Sequence, residues 1–452
     1  MRERTILLIN PPSPPVATAN REGAGGLGYL DHVAAGFTYP PQTIAATAAV
    51  LRANGWTPRV LDAVGEGLDL AQTLHALRDS GAATFAVLVS HETLAGDVAF
   101  LSALRQELPE RQLLAFGVST AHAQQGLAQQ MTLDGVLFGE PELAVGVAAA
   151  ALHDSRVADR PLFLSPDSLS VGGYDERGLI ADLDALPFPA WDLTPVERYR
   201  FLTIMASRGC DATCRYCPYV VAQGNRFRPR APERVVEEMV WLAKTFHPRR
   251  VVFRDPVFAR DRDRVVAICE GILARRPTVN NRLVPWECES RPEHLNEALL
   301  KLMQRAGCYG IKVGLETASP SLLCSLHRTD ALEEAHRYRE QVATLIRTCR
   351  TLEMQCHLFI MIGLPGQTPF DLQETLSFLR GVRPSALNIK MFIPYPGIQI
   401  SRAELASITP PDEEMVRALF RLKRECEGIR LTRRTLWQRA RGWLQRHVGG
   451  ER

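Results

Sequence analysis

No cysteine occurs before Cys210, although the chain of 452 residues holds ten. That excludes a disulfide-stapled secreted scaffold, which is short and spreads its cysteines along the whole sequence. Long apolar runs are also missing. None approaches the roughly 18 residues that a membrane-crossing helix needs. The opening MRERTILLINPP has a basic start, but its apolar stretch stops at Asn10-Pro11-Pro12. That is too short for a signal segment, so it predicts a first strand and a cytoplasmic protein. Charge of one sign is scarce too: a net charge of +3 makes no global field and argues against a nucleic-acid partner. Short-period repeats and low-complexity tracts are absent. The length exceeds one ordinary core and predicts two or three domains.

What is present is strand–helix alternation, twice over. Apolar, β-rich runs occur at 5–9, 57–62, 85–90, 112–117 and 134–139, with helix-period stretches at 41–53, 68–79, 95–107, 121–131 and 141–153. Short apolar strands separated by helices imply a parallel sheet covered on both faces. Residues 1–154 therefore read as an α/β, doubly wound, flavodoxin/Rossmann-like domain, with its site at the carboxyl ends of the strands. Residues 155–195 are rich in Pro, Asp, Ser and Gly and read as a linker packed across the domain seam. A second alternation fills 196–396. Strand candidates lie at 201–207, 249–255, 282–290, 309–316, 354–363 and 386–394, and helix candidates at 232–245, 261–275, 292–305, 331–352 and 368–380. Six such units predict a partial (β/α)6 barrel of the TIM type, again with chemistry at the carboxyl ends. Residues 397–452 read as a small helical C-terminal region. In its last part Leu436, Ala440, Trp443 and Leu444 recur at helix spacing among arginines. A docked terminal helix with a solvated face is the favoured reading, and peripheral membrane contact the alternative.

The cysteines after Cys217 are scattered singly and read as small buried hydrophobes. The exception is SRGCDATCRYCPY at 207–219, where Cys210, Cys214 and Cys217 are spaced C-x3-C-x2-C just past a predicted strand. A structural zinc site wants four ligands, and no second pair or adjacent histidine supplies the fourth; His247 is too isolated. An iron–sulfur cubane held by three thiolates fits better, with one iron left open for a ligand.

This placement resembles the radical SAM enzymes. The resemblance implies a [4Fe–4S] cluster on Cys210, Cys214 and Cys217, whose fourth iron chelates S-adenosyl-L-methionine (SAM). An external flavodoxin- or ferredoxin-type donor then supplies one electron, and a 5′-deoxyadenosyl radical is released. It also implies cofactor contacts at Tyr216, at Asp255 with Phe258 in FRDPVF, at Glu289 and Arg291 in ECESR, at Glu316 in VGLETAS, and at Gly363 in FIMIGLPGQT. Arg228 in NRFRPR reads equally as a ligand contact or a surface charge.

The first half resembles the cobalamin-binding domain that precedes the barrel in one large subgroup of that family. The matching pieces are INPPSPP (9–15), FTYPPQTIAATAAVLRANGW (37–56), VSHETLAGD (89–97), FGVSTA (116–121), LFGEPE (137–142) and LPFPAWDL (186–193). The resemblance places a corrinoid at the carboxyl ends of the first sheet, with Ser90, Thr93, Gly117 and Ser119 as contacts. Two departures stand out. The D-x-H-x-x-G motif of cobalamin mutases is missing, and the double glycine usual after the fourth strand is Phe116-Gly117, where the phenyl ring is expected to narrow the groove. His91 reads as a polar rim residue. The G-x-G-x-x-G at Gly23, Gly25 and Gly28 joins no strand tightly to a helix and reads as a flexible loop.

The resulting expectation is a cobalamin-dependent radical SAM methyltransferase acting on an unactivated carbon of a small-molecule or lipid-like substrate. A cyclase, rearrangement or oxidative enzyme of the same architecture, with or without cobalamin, is the alternative. Methylthiolation of tRNA is disfavoured because that group carries three further cysteines in its first domain. A non-catalytic SAM or cobalamin sensor would leave the cysteine trio without a purpose.

Overall fold

The computed structural model describes residues 4–23, 28–31, 38–117, 133–137, 139–153 and 178–427. Its first sheet is all parallel, with strands in the spatial order Thr57–Asp62, Thr5–Asn10, Thr84–Leu88, Gln112–Phe116, Gly135–Val136. In chain order this is 2-1-3-4-5, the flavodoxin-like winding. Its direction reverses between Thr5–Asn10 and Thr84–Leu88, and a crevice opens there at the carboxyl ends. The alternation of side chains explains why both faces are covered. Leu7, Ile9, Phe85, Val87, Leu113 and Ala115 enter one buried cluster, whereas Ile6, Leu8, Ala86, Leu88, Leu114 and Phe116 enter the other. The expected helix at 121–131 lies outside the described residues.

The glycine-rich stretch is not simply a loop. Ala17–Asn20 pairs antiparallel with Gly28–Asp31, so Gly23 and Gly28 flank the turn of a short hairpin, and Gly25 lies outside the described residues.

The second sheet has six parallel strands in chain order: Leu202–Ile204, Val251–Phe253, Trp286–Ser290, Cys308–Glu316, Gln355–Ile362 and Ala386–Met391. It is the expected partial barrel. Two elements differ from expectation. The third strand begins at Trp286, because Arg282–Leu283 pairs antiparallel with Thr278–Val279 through Asn280 and Asn281, both left-handed, as a two-residue hairpin turn demands. The expected helix 292–305 divides into a 3-10 turn at Pro292–His294 and a helix at Glu297–Arg305, where the Asn296 side chain accepts from the Leu299 N–H at 2.9 Å.

Two described residues of the stretch 155–195 make contacts with both parts of the chain. The Ala190 N–H donates to the Ala45 carbonyl, and Trp191 is fully buried in the barrel core; just beyond the linker, the Tyr199 hydroxyl donates to Asp62. The helix Glu413–Glu427 is integral to the barrel, with Ala418, Leu419 and Leu422 in its core. The basic stretch beyond it lies outside the described residues. Among the described residues no helix is long and apolar enough to cross a membrane.

Candidate active site

The three cysteines follow the short strand Ser207–Arg208 at the carboxyl end of the barrel and precede the helix Pro218–Gln223. Their loop is tightly held. Gly209 is left-handed (φ +76), and a β-carbon there would stand 2.1 Å from the Arg226 carbonyl. Only glycine allows this approach. The Cys210 N–H donates to Gly224, and the Cys217 N–H to Cys214. Between them Arg215 splays outward, donating to the carbonyls of Gln399 and Ser325 and pairing with Glu404 at 2.8 Å. The loop is thus clamped to two later segments of the chain.

All three cysteines line one cleft. Tyr216, Tyr219, Glu289, Arg291, Lys312, Glu316 and Arg328 also line it. Tyr216 donates to Glu316 Oε1 at 3.2 Å. Glu316 faces the cleft because its strand loses register between Gly314 and Glu316, with Glu316 itself left-handed (φ +65). Such strain is tolerated where the surroundings over-determine it. Burial raises the Glu316 carboxyl above its usual range, against the opposing pull of Arg328 and of the Tyr216 hydroxyl. Cys214 Sγ accepts from Arg291 and from Arg328, each at 3.7 Å. Burial pushes the Cys210 and Cys217 thiols up, so a bound cation is what would hold both as thiolates. Among the described residues no three His, Cys, Asp or Glu side chains are arranged for a single metal ion. A cubane needs no such convergence, because each thiolate binds a different iron.

Of the residues singled out in the sequence, the cleft gathers Cys210, Cys214, Cys217, Tyr216, Glu289, Arg291 and Glu316. Others lie elsewhere. Asp255 is fully buried and already committed, accepting from the Ala206 N–H at 2.8 Å and the Ser207 hydroxyl at 2.5 Å. It ties the first two strand ends together. Phe258 packs in the core on Phe253 and Trp286. Gly363 forms a turn, its N–H donating to Gln367 Oε1. Ser90 and Thr93 are buried and bonded to each other and to Asp97, which pairs with Arg21 at 2.7 Å; they knit the crevice from within. Gly117 is a close-approach position, where a β-carbon would stand 2.4 Å from the Val89 carbonyl. Ser119 lies outside the described residues. Phe116 points into the core and is fully buried, so it does not narrow the groove. Arg228 binds Glu140 at 2.8 Å and joins the domains, and so does Arg208 with Glu142 at 2.5 Å. His91 packs at a tilt against Tyr395, which also donates to Glu92, linking the first sheet's carboxyl end to the segment after the barrel's last strand.

Arg328, Lys312 and Tyr219 were not legible as site residues. Arg328 lies in a loop, SLHRTD, with no motif around it. Lys312 sits mid-strand, and its pairing with Glu287 at 2.9 Å is a cross-strand matter. Only the proximity of Tyr219 to Cys217 was a signal.

A parallel partial barrel with a three-cysteine loop after its first strand, opening on one cleft, defines a radical SAM domain. Residues 204–379 match the family described as the Radical SAM superfamily. Residues 204–379 therefore carry a radical SAM domain, and a flavodoxin-like parallel sheet stands in front of its barrel. It is similar to an uncharacterized methyltransferase of Pyrococcus horikoshii, 26% identical over 61% of this chain and 59% of that protein. It is also similar to the anaerobic magnesium-protoporphyrin IX monomethyl ester cyclase of Rubrivivax gelatinosus, 24% identical over 79% of this chain and 65% of that one. The chain thus spans less than two thirds of the length of these two curated relatives. Among solved structures it shares the fold of the radical SAM methyltransferase TsrM from Kitasatospora setae, which holds cobalamin and a [4Fe–4S] cluster. The TM-score is 0.68 and the identity 18%, covering 88% of this chain and 77% of that one.

Proposed function

We propose that the chain is a cobalamin-dependent radical SAM methyltransferase acting on a small-molecule substrate. The observation that carries this reading is the convergence of Cys210, Cys214, Cys217, Tyr216, Glu289, Arg291 and Glu316 on one cleft at the carboxyl end of the barrel. Cys210, Cys214 and Cys217 would hold a [4Fe–4S] cluster, and Glu289 and Glu316 are the carboxylates available to the amine and ribose of SAM. The cobalamin would lie at the carboxyl ends of the first sheet, where burial of Phe116 leaves the groove open. When bound, the cluster and SAM supply one-electron cleavage of the sulfonium, fed by an external electron donor, and cobalamin supplies the methyl group.

The chain's own part is positional. Arg291 and Arg328 place positive charge against the Cys214 sulfur, favouring an anionic cluster there. Tyr216 fixes the Glu316 carboxylate. The Tyr395–Glu92 contact and the Arg208–Glu142 and Arg228–Glu140 pairs hold the two domains face to face, so that the reacting groups stay aligned and water is excluded.

Reduction of anaerobically reconstituted protein with SAM tests this reading. Release of 5′-deoxyadenosine is expected, and a Cys214→Ala variant should release none. Corrinoid-dependent methylation separates the methyltransferase from the cyclase or oxidative alternative.

A further inference from the structure

Arg254 follows the second barrel strand and was not singled out in the sequence. It is only 7% exposed. Its guanidinium makes no hydrogen bond and no ion pair among the described residues, although it carries five N–H donors. Among the described residues it meets the face of Tyr39, 4.5 Å from the guanidinium carbon to the ring centroid. A β-carbon on Gly23 would lie 3.1 Å from its Nη2, so the side chain reaches the hairpin of the first domain. Tyr219 and Glu289, which line the cysteine cleft, act on it electrostatically. Neither the Tyr219 hydroxyl nor the Glu289 carboxylate has a hydrogen-bond partner among the described residues. Nearby Glu22 is spoken for, accepting from the Thr43 N–H and hydroxyl.

A buried cation with unmade hydrogen bonds is costly, and the fold has not spent those donors on itself. Other buried arginines show the contrast. Arg21, Arg208, Arg228 and Arg328 all donate to named acceptors. Arg254 thus stands between the first domain's hairpin, which it meets at Gly23, and two residues of the cleft wall, Tyr219 and Glu289.

We propose that Arg254 is the anion-recognising residue of the substrate pocket, and that the substrate carries a carboxylate or phosphate group. The planar fork suits either group bidentately. This rests on the cleft being the radical SAM site, but its test needs no turnover. SAM also carries a carboxylate and cobalamin a phosphate, so the test separates these sources from the substrate.

The reconstituted protein is titrated with inorganic phosphate and with acetate in a low-chloride buffer, and binding is followed calorimetrically. Wild type is compared with Arg254→Gln, Arg254→Lys and the control Arg262→Gln, whose side chain is exposed. Saturable binding is expected in wild type and in the control. It should weaken about 10- to 100-fold in Arg254→Gln and less in Arg254→Lys, which keeps the charge but loses the fork. SAM affinity and corrinoid retention should be equal in all four. Unchanged anion binding in Arg254→Gln overturns the proposal. A parallel loss of SAM affinity or of corrinoid also overturns it, because the residue then serves a cofactor. If Arg254→Gln does not fold, Arg254→Lys decides: anion binding equal to wild type overturns the proposal.

Discussion

At Cys214, two guanidiniums converge on one sulfur. Positive charge next to an iron–sulfur cluster stabilises its reduced, more negative state. Arg328→Gln is therefore expected to lower the cluster midpoint potential by on the order of 50 mV. An EPR-monitored redox titration checks this, and an unchanged or higher potential contradicts it. Glu22 tells a second residue-scale story. Burial raises its carboxyl from 4.5 to about 7, against the Thr43 bonds and Arg254 that pull it down. A raised folded pKa gives stability that is full below the unfolded value and is lost as pH climbs through the folded one. Between pH 5 and pH 8 the protein should lose up to about 3 kcal/mol on this account, and Glu22→Gln should shrink that loss. Urea denaturation at the two pH values reads the difference. Residue-level legibility followed the same physics. The cysteine trio, Tyr216 and Glu316 were readable because they stand in or at the ends of patterned elements. Arg254 and Arg328 were not, because a lone arginine in a sequence does not say whether its donors are satisfied.

Among the elements, the cysteine loop depends on Gly209. Gly209→Ala puts a β-carbon against the Arg226 carbonyl at a left-handed position. Iron bound after anaerobic reconstitution should fall by more than about half, since the strain, on the order of 1–3 kcal/mol, falls on the ligand loop itself. Full iron content in this variant contradicts the reading. The strands of both sheets were legible because buried parallel strands read as short apolar runs. The hairpin at Thr278–Leu283 was not, although Asn280-Asn281 is a turn signal, because its flanking pairs are only two residues long. The break after His294 was missed for a related reason. Apolar spacing runs on through Leu295, and only the cap at Asn296 marks the restart. Hydrogen-bond accounting bears on Ser90, Thr93 and Asp255. Each sits where a ligand contact was expected, yet each is used by the fold itself.

Over the whole molecule, buried ion pairs join the first domain to the barrel. Glu140 holds Arg228 at 2.8 Å and Arg208 at 3.3 Å, with all three side chains nearly inaccessible. Taking one partner from a buried pair strands the other charge, at a cost of about 3–5 kcal/mol. Glu140→Gln should lose stability in that range in chemical denaturation, and a loss below about 1 kcal/mol contradicts a buried pairing role. The alternation of elements predicted two domains. It did not predict which charges bolt them together, because these lie far apart in sequence. In the proposed function the three-cysteine cleft binds a cluster while facing a corrinoid on the first sheet. The most direct measurement is the iron and corrinoid content, with the absorbance spectrum, of protein reconstituted anaerobically with iron, sulfide and hydroxocobalamin and then desalted. About four irons and about one corrinoid per chain are predicted, with a Cys210/Cys214/Cys217 triple alanine variant losing the iron and keeping the corrinoid. Iron retained by the triple variant, or wild type desalting free of corrinoid, would contradict it.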